Sequence, residues 1–75
     1  MDKNEIHIGN RIKQVLEEQG RSITWLANKI DCSRENLYKM FKNSWIHTDR
    51  LLKISKALNH DFFKEYSQLL EKQKV

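Results

Sequence analysis

The sequence predicts an all-α fold, a bundle of five short helices, and three observations carry that expectation. The 75 residues include no proline and two glycines, too few to supply the many tight turns of a β-protein. Apolar residues make up 39% and charged residues 32%, a balance that suits a small helical domain better than a disordered chain. Apolar side chains recur at i, i+3, i+4 and i+7, the period of a helix with one buried face. A chain of this length buries only about 60 to 65% of its unfolded surface, so one domain with one modest core is expected. We place it at residues 6–70, between a flexible N-terminus at 1–5 and a flexible, solvated tail at 71–75.

The first helix is read from Ile8 to Gln19, with Ile8, Ile12, Val15 and Leu16 on one face and Gly20 as the residue that closes it. Ser22 caps a second helix whose inner face is Ile23, Leu26, Ala27 and Ile30. Asp31 and Cys32 interrupt that pattern. Ser33 then offers a hydroxyl to the free N–H groups of a third helix, on which Leu37, Met40 and Phe41 form the inner face. Residues 23–42 therefore read as two helices joined by a tight turn and sharing one core. Trp25 is expected to lie over neighbouring helix surface. Asn43 to His47 form a loop, and Thr48 is read as the cap of a fourth helix with Leu51, Ile54 and Leu58 inward and Leu52 and Ala57 nearby. Asn59 ends that helix. Asp61 caps a fifth, in which Phe62, Phe63, Tyr66, Leu69 and Leu70 recur with helical spacing. That apolar face exceeds what one edge of a small bundle needs. The surplus among Phe63, Tyr66, Leu69 and Leu70 points to a homodimer interface, against the alternative of a fully internal helix.

The helix from Ser33 to Lys42 leaves an informative face outside. At about 100° per residue, Glu35, Tyr38, Lys39 and Lys42 fall within roughly a 100° arc opposite Leu37, with Arg34 beside them. A helix that buries one side and offers such residues on the other can enter a DNA major groove, about 12 Å wide, and meet base edges. The net charge is +4, and residues 33–56 hold six basic side chains against two acidic ones, so the whole excess lies on this helix and the segment C-terminal to it. A polyanion partner leaves that footprint, where a merely solvated face is the bland counterpart.

Residues 9–66 resemble the helix-turn-helix domains of phage Cro and repressor proteins, the xenobiotic-response-element type. The resemblance is carried by Leu26-Ala27 in the first motif helix, Ile30 before the turn, Leu37 and Met40 in the recognition helix, and the run Leu51-Leu52-Lys53-Ile54-Ser55-Lys56-Ala57-Leu58 after it. It implies a lambda-repressor-like fold and sequence-specific binding of double-stranded DNA by a transcriptional regulator, a repressor by expectation. Three departures matter. Ile23 stands where relatives often keep a phosphate-contacting glutamine, and Asp31 where the turn usually carries glycine. Leu16 and Phe41 replace an Arg–Glu ion pair, an exchange that is often neutral or stabilising.

On this reading Arg34 and Lys39 address guanine O6 or N7, and Glu35 accepts from cytosine N4. Glu35 and Lys39 also stand at i, i+4, so a surface ion pair is the alternative for Glu35. Ser22, Tyr38, Lys42, Asn43, Ser44 and His47 are the candidate contacts to the DNA backbone. The rival class is a protein-interaction or antitoxin-like module on the same fold. No nucleophile with a base, carboxylate pair or phosphate loop can be assembled, so no enzyme is expected. Cys32, His7, His47 and His60 lack metal spacing, a single cysteine forms no internal disulfide, and no membrane span or signal-peptide core is present. We therefore expect a cytoplasmic protein without cofactor, metal, membrane or small-molecule ligand.

Overall fold

The computed structural model describes residues 6–73. Its elements are α1 (Ile8–Glu18), α2 (Ile23–Lys29), α3 (Arg34–Lys42), α4 (Thr48–Leu58) and α5 (Phe62–Gln73). The core holds Ile8, Ile12, Val15 and Leu16 of α1, Leu26, Ala27 and Ile30 around α2, Leu37 and Phe41 of α3, Leu51, Ile54 and Leu58 of α4, and Phe62. Helices α1 to α4 thus bury most of the stripe that their apolar period marks, whereas α5 buries Phe62 alone. Ile23 and Met40 sit half-buried at the edges, while Leu52 is 47% exposed and does not face inward. Leu16 and Phe41, at 2% and 6% exposure, lie in the same cluster, so the site of the family's ion pair is apolar here.

Three helices end in the same way, by a left-handed residue whose own amide and the next close onto orphan carbonyls. Gly20, Asp31 and Asn59 take φ of 68°, 56° and 51°. After α2, the Cys32 amide donates to the Ala27 carbonyl at 2.9 Å and the Asp31 amide to that of Asn28 at 3.4 Å. Asp tolerates this conformation better than most residues, which is how the turn between α2 and α3 forms without glycine.

At the helix starts, the Ser22, Ser33 and Asp61 side chains accept from the amides of Trp25, Asn36 and Lys64. Thr48 does not cap α4. It is already helical, and the extended residue before the first turn is His47, whose side chain makes no capping bond. The fold instead places Asp49 in that first turn.

Two long-range links fix the outer helices. The first turn of α1 docks on the end of α3: the Gly9 amide donates to the Asn43 carbonyl at 3.0 Å and the Ile8 amide to that of Ser44 at 3.4 Å. Gly9 is needed for this approach, because a Cβ there would lie 2.4 Å from the Phe41 carbonyl oxygen and 2.5 Å from that of Met40. Helix α5 is held at its beginning, by Phe62 in the core, by Phe63 packed against it, and by Glu65. Glu65 accepts from Arg11 Nε at 2.7 Å and from Arg11 Nη2 at 2.9 Å, and its Oε2 lies 2.6 Å from His60 Nε2. The helix continues to Gln73, into the stretch read as a tail, with Glu71 and Lys72 exposed. The flexible N-terminus expected at 1–5, and residues 74–75 of the tail expected at 71–75, lie outside the described residues.

Candidate nucleic-acid interface

Helix α3 owes its outward face to the residues it buries. Leu37 and Phe41 turn into the core, which rotates Arg34, Glu35, Tyr38, Lys39 and Lys42 into solvent, all of them exposed. The Ser33 hydroxyl, 3.2 Å from the Asn36 amide, fixes where the helix begins and therefore which residues share the face. Glu35 lies in the first turn and Lys39 and Lys42 in the last, each complementing the helix dipole. Among the described residues both ion pairs end on Glu65, so Glu35 and Lys39 are not bridged despite their spacing.

Two grooves flank this face and bring in residues that periodicity does not single out. One, lined by Asn36 and Met40 of α3, Trp45 and His47 of the loop, and Arg50 of α4, opens along one edge. Asn36 stands about 60° beyond the predicted arc, on the side that faces the loop. Trp45 is 60% exposed, with its ring edge-on to His47 at 5.3 Å between centroids. The other groove sets Tyr38 and Lys42 beside His7, Asn10 and Lys13 of the α1 start and Ile23 of α2. His7 Nδ1 accepts from the Asn10 amide at 3.1 Å, so in the neutral ring Nε2 carries the proton and can donate. Of these residues, Lys13 and Arg50 had the signal of charge, yet only the packing of α1 and α4 against the motif places them here.

Of the other candidates, Asn43 lines the first groove, whereas Ser22, Ser44 and the α5 residues line neither. Ser22 accepts from the Trp25 amide at 3.0 Å, which leaves its own O–H free to donate to a phosphate. Asn43 and Ser44 are exposed side chains on the loop, while their carbonyls are taken by the α1 amides. On α5, Leu70 is 62% and Tyr66 36% exposed, and Phe63 and Leu69 are half-buried. The face is not internal. Burial, and after it the nearby Glu65 charge, raises the Tyr66 phenol above its ordinary value.

Among the described residues, no helix is long and apolar enough to cross a membrane. Residues 11–62 match a family model described as a Cro/C1-type HTH DNA-binding domain. No curated protein and no solved structure matches the chain.

Proposed function

The chain belongs to the Cro/C1-type helix-turn-helix DNA-binding domain family, and from that premise we propose that it is a sequence-specific transcriptional repressor that inserts α3 in the major groove of double-stranded DNA. The observation that carries this reading is the α3 face itself, where Arg34, Glu35 and Lys39 are exposed and form no ion pair among the described residues. Arg34 and Lys39 donate to guanine O6 or N7, and Glu35 accepts from cytosine N4. Ser22, Tyr38, Lys42, Asn43, Ser44 and His47 meet the sugar-phosphate backbone, joined by Arg50 on one flank and by His7 and Lys13 on the other. The protein occupies its operator as a symmetric dimer, joined through Phe63, Tyr66, Leu69 and Leu70, because one short recognition helix discriminates too few base pairs against a genome of competing sites. The half-sites then lie about one helical turn apart, 10 to 10.5 base pairs.

Selection of bound sites from a random duplex pool tests the assignment. Arg34→Ala is expected to cost about 1 to 3 kcal/mol and relax preference at one base pair, whereas Lys42→Ala weakens binding on all sequences and lowers the salt slope by about one. An unchanged consensus after Arg34→Ala removes that residue from the base-reading set.

A further inference from the structure

A second basic surface lies on α2 and α4, and no residue of α3 lines it. Its groove, of about 490 Å³, has half-buried Trp25 and Ala57, over the buried Ile30, as an apolar floor and Lys29, Lys53 and Lys56 as its rim. Arg21 extends the rim, its Cζ 4.5 Å from the Trp25 ring centroid, while Lys29 Nζ stands 5.6 Å from the same centroid. Two cations therefore crowd one half-buried indole. The ring attracts each of them but does not cancel the repulsion between them. Carboxylates do not relieve it either, since both ion pairs among the described residues end on Glu65, and Asp31, the one acid lining the groove, pairs with none of the four cations.

Four unpaired cations around an apolar floor define the chemistry of an occupant. It must carry negative charge spaced to meet both α2 and α4, together with an apolar group that covers Trp25 and Ala57. We propose that this groove docks an acidic amphipathic peptide segment of another protein, with an apolar side chain on the floor and carboxylates on the lysine rim. Duplex DNA offers phosphates without that apolar counterpart, and its stiffness keeps it from lowering a base into a shallow groove. A peptide supplies both groups along one helical face. None of the residues that line the groove is among the proposed DNA contacts, the nearest being Ser22 beside Arg21 at the start of α2, so DNA and the acidic segment occupy the protein together. The site thus goes beyond the DNA-binding reading and does not depend on it.

The test titrates isotopically labelled full-length chain, monitored by amide and indole chemical shifts, with three probes. They are a short synthetic peptide of leucines at helical spacing separated by glutamates, its counterpart with lysines for glutamates, and a duplex carrying the selected site. The glutamate peptide is expected to move the Trp25 indole and the Ile30 and Ala57 amides, equally with and without saturating duplex, and the lysine peptide to move none of them. Lys53→Glu combined with Lys56→Glu should weaken the glutamate peptide by about tenfold or more, as reversal of rim charges at a complementary interface does. Should that variant lose its dispersed spectrum, Lys53→Gln with Lys56→Gln serves the same comparison. Shifts on α3 and residues 43–47 in place of Trp25 would make the peptide a mere DNA mimic and overturn the proposal. So would competition between duplex and peptide for Trp25 and Ala57, or the absence of any shift with the glutamate peptide.

Discussion

Gly9→Ala sets helix propensity and tertiary packing against each other. In an isolated helix alanine is favoured over glycine by about 1 kcal/mol, so propensity alone makes this substitution stabilising. The structure reverses the sign. The added Cβ would lie 2.4, 2.5 and 2.6 Å from the carbonyl oxygens of Phe41, Met40 and Asn43, whereas a comfortable carbon–oxygen approach is about 3.3 Å. All three obstacles are backbone, so the first turn of α1 must retreat by roughly 1 Å, and overpacking of this kind costs about 1 to 3 kcal/mol. The retreat also stretches the Gly9–Asn43 bond of 3.0 Å and the already long Ile8–Ser44 contact of 3.4 Å, at about 1 kcal/mol for a bond lost. With the propensity gain subtracted, the expected loss is about 1 to 3 kcal/mol. Urea denaturation by tryptophan fluorescence reads it directly, as a midpoint lowered by about 1 to 2 M for a small domain. A midpoint that stays put or rises would refute the close approach of α1 to α3.

Phe41→Ala should cost about 3 to 5 kcal/mol through lost burial and a cavity, and Leu16→Arg should also destabilise by enclosing an unpaired charge; an arginine variant as stable as the parent in urea means the side chain at 16 escapes the core. The Arg11 hydrogen bonds, opposed by burial and helped by His60, hold the Glu65 carboxyl below its ordinary value of 4.5. A depressed folded value contributes stability that is complete above the unfolded value and lost as pH falls through the folded one. Melting temperature should therefore drop more steeply in the parent than in Glu65→Gln as pH is lowered from neutral to about 3, and parallel declines would discount the clamp. Leu70→Lys, at a position 62% exposed, should leave the monomer folded while weakening dimerisation and operator affinity together; sedimentation of the parent as a strict monomer, free and on a site without palindromy, would sink the dimer.

The features legible in the sequence were local. The helical period marked the buried stripes, and short-range chemistry marked the ends: Ser22, Ser33 and Asp61 cap, and Gly20, Asp31 and Asn59 take the left-handed turn. Thr48 misled because a threonine before an apolar stripe resembles a cap whether it stands at the boundary or one residue inside it. The features that escaped were tertiary. Gly9 reads as an indifferent residue until α3 carbonyls are set against it, and Arg11 and Glu65 are 54 positions apart. The same holds for the site. Arg34, Glu35 and Lys39 emerge from rotation about one axis, whereas Asn36, Arg50, His7 and Lys13 join them only when the loop, α4 and α1 are packed around that axis.

The anchorage of α5 has a mechanical consequence. With Phe62 as pivot, Leu70 stands eight residues along the helix, an arm of about 12 Å. A tilt of about 10° at the first turn then carries Leu70 through about 2 Å, and two-fold symmetry doubles that between the recognition helices of a dimer joined there. About 4 Å is slightly more than the 3.4 Å rise of one base pair. The Arg11–Glu65–His60 clamp, none of whose residues is a candidate DNA contact, would in such a dimer act as the gauge that selects how far apart the two half-operators must lie.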